Sequence, residues 1–86
     1  MFQREIVIQN KTGLHARPAS ELVELSNRFA SEIILVTDED EINAKSIISI
    51  LSGGVYQGTK VLLQVDGADE DTAGQQIADL LENLPD

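Results

Sequence analysis

Residues 11–29 read KTGLHARPASELVELSNRF, and this stretch joins a turn, a helix start and one apolar helix face. Its apolar side chains recur every three or four positions, as they do along a helix that buries one side. They are Ala19, Leu22, Val23, Leu25 and Phe29. Pro18 falls in the first turn, where proline is tolerated because its missing N–H would have had no partner there. The stretch therefore predicts a helix over 16–29 that begins directly after His15.

Strand and helix patterns alternate on both sides of this helix. Residues 2–8 alternate between two faces, one of them mainly apolar, which is the pattern of a half-buried strand. Strands are also predicted over 32–37, 41–44 and 60–65, and further helices over 46–51 and 69–84. Ser46 and Asp69 take the N-cap positions of these two helices, because serine and aspartate accept hydrogen bonds from first-turn N–H groups. The pair Gly53-Gly54 ends the shorter helix.

The order of these elements, β-α-β-β-α-β-α, decides the expected fold class. Each helix has one apolar face, so three helices can cover one face of a four-stranded sheet while the other face stays in water. We therefore expect an α+β protein, an open-faced β-sandwich with an antiparallel sheet. The 86 residues contain no linker, repeat or low-complexity segment and suit a single domain over 1–86.

The composition excludes several kinds of function. The chain has no cysteine and one histidine, which excludes disulfides, thiolate metal sites and multi-histidine metal sites, and we expect no metal and no cofactor. A net charge of −9 argues against nucleic acid and anionic membranes as partners, because both attract lysine and arginine. The longest apolar run, 33–36, is far too short to span a membrane, and residues 1–10 lack the apolar core of a signal peptide. We expect a soluble cytoplasmic protein.

His15 stands at the predicted N-cap of the first helix, with Lys11 and Arg17 on either side in an otherwise acidic chain. The backbone N–H groups of Ala16 and Arg17, together with the helix dipole, make this a place that attracts phosphate. The guanidinium of Arg17 matches phosphate oxygens, and the Thr12 hydroxyl can add a contact. A neutral imidazole can attack phosphorus and form a labile phosphoramidate, which suits a group that must be passed on.

The same residues also have a plain structural interpretation. His15 can be a helix cap without chemistry, with Arg17 a solvated helix residue, and the residues alone leave the two interpretations about even. Gly13 is expected to take a positive φ and to leave space for a partner to approach. A hydrolase with His15 as its base lacks plausible partners, because the chain has no cysteine and Ser20 lies about one helical turn inward.

The segment GLHARPAS at 13–20 resembles the active-site signature of the HPr family, the histidine-containing phosphocarriers of the bacterial phosphoenolpyruvate:sugar phosphotransferase system. The resemblance extends over the chain through its length, its element order and three further segments: NAKSI at 43–47, GTKV at 58–61 and GADE at 67–70. It implies that phospho-enzyme I phosphorylates His15 on Nδ1 and that the group then passes to sugar-specific IIA domains.

The resemblance also implies that Arg17 stabilises the phosphate on His15. Thr12, Ala16 and Pro18 complete the predicted site in supporting roles. The chain is then expected to be a monomeric carrier that forms a covalent intermediate, and not an enzyme in its own right.

Ser46 again has two interpretations. The residues alone favour an ordinary N-cap. The resemblance to HPr proteins of Gram-positive type implies a regulatory phosphoserine made by an ATP-dependent HPr kinase, with HPr kinase/phosphorylase and a catabolite-control transcription factor as further partners.

The residues after this serine form a candidate docking patch, which consists of Ile47, Ile48 and Leu51. Many family members carry methionine one or two residues after the serine, so these isoleucines are a departure from the family pattern. A competing account puts Ile47, Ile50 and Leu51 in the core, and we expect at least two of those three to be buried.

Two related functions remain as alternatives. A nitrogen-branch phosphocarrier would use the same chemistry with other donors and acceptors, although KSII at 45–48 leans toward the sugar branch. A purely regulatory module of the Crh type keeps the serine but lacks the histidine, so the presence of His15 argues against it.

Overall fold

Secondary structure follows the predicted order in the computed structural model, which describes residues 1–85. The elements are β1 (Phe2–Val7), α1 (Ala16–Ser26), β2 (Glu32–Val36), β3 (Glu41–Asn43), α2 (Ile47–Ser52), β4 (Lys60–Asp66) and α3 (Glu70–Glu82). The predicted element order is confirmed, and most boundaries lie close to the predicted ones.

The exception is the end of α1, which stops at Ser26 rather than at residue 29. The backbone N–H groups of Arg28 and Phe29 donate to the carbonyls of Leu25 and Ser26, so the chain tightens into turns after the helix. Phe29 still packs against the core from this turn. The apolar spacing therefore continues beyond the point where the helix ends.

The four strands form one antiparallel sheet in the order β1-β4-β2-β3. Within this sheet, Leu63 of β4 lies opposite Arg4 of β1 and Leu35 of β2. Every second residue of β4 is buried, as the alternation in the sequence predicts. One face of the sheet is therefore apolar and forms the floor of the core.

The helices cover this apolar face. α3 packs on β1 and β4, α2 packs on β3, and α1 packs on both other helices. The opposite face carries exposed polar residues such as Gln3, Glu5 and Glu32. This is the predicted open-faced sandwich. Within residues 1–85, no helix has the length and apolar character needed to cross a membrane.

Asp69 occupies the predicted N-cap position of α3, but the predicted capping hydrogen bond is wrong. Its carboxylate instead accepts hydrogen bonds from the N–H groups of Ala30 and Ser31, at 2.9 Å each, and from the Ser31 hydroxyl. These hydrogen bonds hold the pKa of the Asp69 carboxyl below its ordinary value, and the bond from the Ser31 hydroxyl contributes most. The start of α3 is thereby tied to the turn that precedes β2.

Candidate functional site

The loop that leads into α1 is braced by a buried amide. Asn10 is 4% exposed, and its Nδ2 donates to the Gly13 carbonyl at 3.0 Å and to the Thr12 hydroxyl at 3.2 Å. The same nitrogen lies 3.5 Å from the Pro85 carbonyl oxygen, near the end of the described chain. The Asn10 side chain thus stabilises the turn of its own loop and connects that loop to the segment after α3.

This loop also packs closely on the loop between α2 and β4. Gly13 has the predicted positive φ, at 62°. A Cβ on Gly13 would lie 2.8 Å from the Cα of Tyr56 and would overlap the carbonyl oxygen of Val55. The N–H of Leu14 donates to that oxygen at 3.1 Å. The space beside Gly13 is therefore filled by the chain itself, and the prediction that it serves an approaching partner is wrong.

His15 is the N-cap residue of α1, as predicted, with an extended backbone (φ −116°, ψ 159°). The residue is exposed, and its imidazole makes no capping hydrogen bond. The interpretation of His15 as an ordinary helix cap therefore finds no support in its contacts. Because first-turn N–H groups have no partners within a helix, those of α1 remain suited to an anion.

Ala16 adopts a conformation that the sequence does not predict. It is the first residue of α1, yet its φ is 45°, in the left-handed region. For a residue with a Cβ this costs about 1–2 kcal/mol, because the Cβ approaches the following carbonyl oxygen. The chain therefore turns sharply between His15 and Arg17, and the strain lies at the candidate site.

The predicted site residues come together around an open depression of about 330 Å³. The depression is lined by Thr12, His15, Ala16, Arg17, Pro18 and Pro85. Pro85 is an addition, since no local pattern in the sequence connects it with His15. Arg17 is exposed, and its side chain makes no hydrogen bond or ion pair with the rest of residues 1–85. An imidazole, an uncommitted guanidinium and a helix N-terminus together fit a phosphoryl group.

Known proteins that are similar to this chain include proteins named as phosphocarriers. The family model described as PTS HPr component phosphorylation site matches residues 2–83. The chain belongs to the HPr family.

Relatives in this family match over nearly the whole chain. The chain is 41% identical over 83 residues to phosphocarrier protein HPr of Xylella fastidiosa (strain 9a5c), covering 96% of this chain and 93% of that protein. It is 42% identical over 78 residues to the HPr-like protein Crh of Bacillus subtilis (strain 168), covering 91% and 92%. The predicted family resemblance is confirmed.

Solved structures agree on the fold. HPr-C-His from Thermoanaerobacter tengcongensis superposes with a TM-score of 0.91 at 46% identity, over 95% of this chain and 92% of that one. A structure of an HPr dimer from the same organism matches with a TM-score of 0.75 at 48% identity, over 90% and 88%. The predicted fold class is confirmed.

In this member of the HPr family, Tyr56 is a neighbour of His15 that sequence reasoning missed. The two ring centroids lie 5.9 Å apart, and the ring planes make an angle of 35°. This separation is typical of interacting aromatic pairs. Tyr56 stands far along the chain from His15, and only the pairing of the two loops brings it to the site.

Ser46 lies at the start of α2, and its predicted capping role is confirmed. Its hydroxyl accepts a hydrogen bond from the Ser49 N–H at 3.2 Å. The carbonyl of the preceding residue, Lys45, accepts a hydrogen bond from the Asn27 side chain, which follows α1. Ser46 is therefore close to the end of α1 that is remote from His15. An 11-residue helix spans about 16 Å, which sets the scale of that separation.

The candidate docking patch is exposed. Ile47, Ile48 and Leu51 are 37%, 75% and 45% exposed, whereas Ile50 is 1% exposed. The prediction that at least two of Ile47, Ile50 and Leu51 are buried is wrong, because a helix of six residues turns only one side toward the core. Exposed apolar groups that lie together are typical of protein–protein contact sites.

Proposed function

We propose that His15 accepts a phosphoryl group from phospho-enzyme I and passes it to sugar-specific IIA domains. The observation that carries this proposal is the exposed imidazole at the start of α1, which makes no capping hydrogen bond and lies in the same depression as Arg17. Membership of the chain in the HPr family supports it. We propose further that the protein acts as a cytoplasmic monomer and needs no cofactor.

The transfer requires one nucleophilic nitrogen and groups that stabilise phosphate charge. A ring nitrogen of His15 attacks phosphorus, and an N–P bond forms while the bond from phosphorus to the donor breaks. The N–H groups at the start of α1 and the guanidinium of Arg17 stabilise the negative charge on the phosphoryl oxygens. The phosphoramidate bond is labile, so the same steps in reverse deliver the group to an acceptor.

The open site favours a carrier over a hydrolytic enzyme. A hydrolase would hold a water molecule against its substrate, whereas the depression at His15 is lined mostly by exposed residues. A carrier meets another protein, which covers the site and excludes water during transfer. We propose that Ile47, Ile48 and Leu51 form the docking patch for that protein, because they are exposed and apolar.

Labelling with phosphoenolpyruvate, Mg²⁺ and enzyme I tests the proposal. The protein should gain one phosphoryl group that is stable to base and labile to acid, because protonation makes imidazole a good leaving group. His15→Ala should gain none and still fold, since the exposed imidazole makes no capping hydrogen bond that the substitution could remove. Val7→Ala, on the open face of the sheet, is the control and should label normally. Undiminished labelling of His15→Ala would overturn the assignment.

We also propose that Ser46 is phosphorylated by an ATP-dependent HPr kinase as a regulatory modification. The support is its resemblance to the serine of Gram-positive HPr proteins and its place directly before Ile47 and Ile48 of the docking patch. A phosphoserine would place negative charge at the N-terminus of α2, which the helix dipole tolerates. HPr kinase/phosphorylase and a catabolite-control transcription factor would then be further partners.

Incubation with ATP and HPr kinase tests this second role. The label should be stable to acid, unlike phosphohistidine, and it should be absent from Ser46→Ala. A label that persists in Ser46→Ala would place the modification elsewhere.

Transfer assays with sugar-branch and nitrogen-branch donors in parallel distinguish the two possible branches, and we expect the sugar-branch enzyme I to be the faster donor. Sedimentation of the free protein should give the mass of a monomer.

A further inference from the structure

We propose that Tyr56 is a positioning residue for His15: its ring holds the imidazole in the orientation in which it accepts and releases the phosphoryl group. This inference rests on the proposed phosphocarrier function and adds a residue to that site. It starts from the contact between the two rings, whose centroids lie 5.9 Å apart with an angle of 35° between their planes.

The backbone brings the two rings together by pairing the residues that precede them. The N–H of Leu14 donates to the carbonyl of Val55 at 3.1 Å. Leu14 and Val55 are buried, at 1% and 2% exposure, so both loops turn these side chains inward. The following residues, His15 and Tyr56, are both exposed and leave the core side by side. The ring contact is therefore a consequence of loop pairing and not of two unrelated surface side chains.

Tyr56 is itself held in place by its own loop. Its N–H donates to the Thr59 hydroxyl at 3.0 Å, and its carbonyl accepts from the Thr59 N–H at 3.0 Å. A Cβ on Gly54 would lie 3.6 Å from Cε2 of Tyr56, so the ring lies over that glycine. A tyrosine whose backbone is fixed by its own loop can order a neighbouring ring with less loss of entropy than a residue of a mobile loop.

His15 needs such a neighbour because no polar group orients it. Reactive imidazoles are commonly oriented by a hydrogen bond at the second ring nitrogen. Across residues 1–85 the His15 side chain makes no hydrogen bond or ion pair, and its ring contact is with Tyr56. Rotation of the imidazole by half a turn about χ2 exchanges Nδ1 with Cδ2 and Nε2 with Cε1, so the orientation of the ring decides which of its atoms face the depression that Arg17 lines. Contact with the Tyr56 ring restricts the plane of the imidazole and so limits its rotation about χ1 and χ2.

The partner-free test uses inorganic phosphoramidate, a small phosphoryl donor that does not require enzyme I. In this reaction the N–P bond of the donor breaks, ammonia leaves and an N–P bond forms at His15. We expect Tyr56→Ala to slow this phosphorylation about two- to tenfold, the effect of one aromatic pair. Tyr56→Phe should keep the wild-type rate, because the ring acts and not its hydroxyl. Val7→Ala, on the open face of the sheet, is the matched control.

The contact itself can be measured by NMR in the same variants. Ring-current shifts of the His15 ring protons should change in Tyr56→Ala and remain in Tyr56→Phe. An unchanged phosphorylation rate in Tyr56→Ala would overturn the proposal, and so would Tyr56→Phe that is as slow as Tyr56→Ala. Both measurements are informative even if enzyme I does not label the protein, so failure of the carrier function and failure of this inference remain distinguishable.

Kinetics with phospho-enzyme I separate positioning from docking. A positioning role predicts that Tyr56→Ala lowers kcat about two- to tenfold and leaves KM unchanged, because the orientation matters during the transfer step. A docking role would raise KM and leave kcat unchanged, and that result would overturn the proposal.

Discussion

The starts of α1 and α2 differ in what the N-cap side chain does. The Ser46 hydroxyl accepts a hydrogen bond from the first turn of α2, which is the ordinary behaviour of a capping serine. His15 holds the same position in α1 but makes no such bond, and the next residue, Ala16, has a φ of 45°. One helix start is closed by its own side chain, and the other is left open to an anion at the expense of backbone strain. The open start is the one at which we place the chemistry.

The largest effect on phosphoryl transfer is expected for substitution of Arg17, in the first turn of α1. Arg17→Ala should slow transfer to and from His15 by roughly tenfold to a thousandfold, because one charge-assisted contact to the transferring group is lost. Stability should hardly change, since Arg17 has no partner within residues 1–85. Rates in both directions and a thermal unfolding curve would check this.

Arg28→Ala is the matched control for Arg17→Ala. Arg28 follows α1 at its far end and is 67% exposed, and its ion pair with Glu24 is long, at 4.0 Å. The two variants change the net charge equally, so equal slowing would show that only the overall charge matters and that Arg17 is a solvated residue.

The start of α3 represents a third arrangement, in which the N-cap side chain is committed to another segment. Because hydrogen bonds lower the pKa of Asp69 from its ordinary value of 3.8, the carboxylate stabilises the fold above that pH, and this contribution is lost as pH falls through the lower, folded-state value. Asp69→Asn should therefore lower the melting temperature at neutral pH, and the difference from wild type should shrink in acid. Melting curves between about pH 7 and pH 2 test this.

The exposed Asp38 provides a control for that series, because it lies in the turn between β2 and β3 and its carboxylate accepts no hydrogen bond within residues 1–85. Asp38→Asn should change the melting temperature little at any pH. A gap between Asp69→Asn and wild type that stays constant into acid would mean that the charge of Asp69 contributes nothing.

Local features of this chain were predictable because they depend on neighbours in sequence. The strand alternation in β1 and β4, the apolar face of α1 and the N-cap positions of His15, Ser46 and Asp69 all follow from short-range rules. The assembly of Thr12, His15 and Arg17 around one depression follows as well, since a helix start brings these positions together.

Features that depend on contacts between distant segments were not predictable. Gly13 is crowded by Val55 and Tyr56, and Asp69 turns its carboxylate to Ser31 instead of to its own helix. Both outcomes require knowledge of which loops meet, which periodicity does not contain. The φ of Ala16 belongs to the same class, because the loop before it is held by tertiary contacts and the helix after it by packing.

Ser46 should show a smaller effect on transfer than Arg17, and of a different kind. Its separation from His15 is on the scale of the 16 Å length of α1, beyond the roughly 8 Å over which salt screens charge. Ser46→Asp should therefore raise KM for enzyme I, about threefold to tenfold or roughly 1 kcal/mol, and leave kcat unchanged. Ser46→Ala should leave both constants unchanged and lose about 1 kcal/mol of stability with its cap.

Salt dependence sharpens the Ser46 comparison. The rise in KM for Ser46→Asp should diminish as ionic strength increases, because it arises from charge at a docking surface. A fall in kcat would instead indicate that the charge acts on the reacting groups. Equal KM values for Ser46→Asp, Ser46→Ala and wild type would leave Ser46 as a helix cap without a regulatory role.

Substitution of Ala16 should give the smallest effect, a change in the free energy of unfolding whose sign is the informative result. Glycine at a helix position normally destabilises by up to about 1 kcal/mol relative to alanine. At a φ of 45° the substitution also removes the strain of the Cβ, which stabilises the fold by about 1–2 kcal/mol. The greater conformational entropy of the unfolded glycine variant opposes this by about 0.4–1 kcal/mol. Ala16→Gly should therefore leave the free energy of unfolding unchanged or raise it by about 1 kcal/mol. Ser20→Gly, exposed in the body of α1, should lower it by about 0.5 kcal/mol. Chemical denaturation of both variants measures the difference, and equal losses would show that Ala16 is an ordinary helix residue and that the open start of α1 carries no strain.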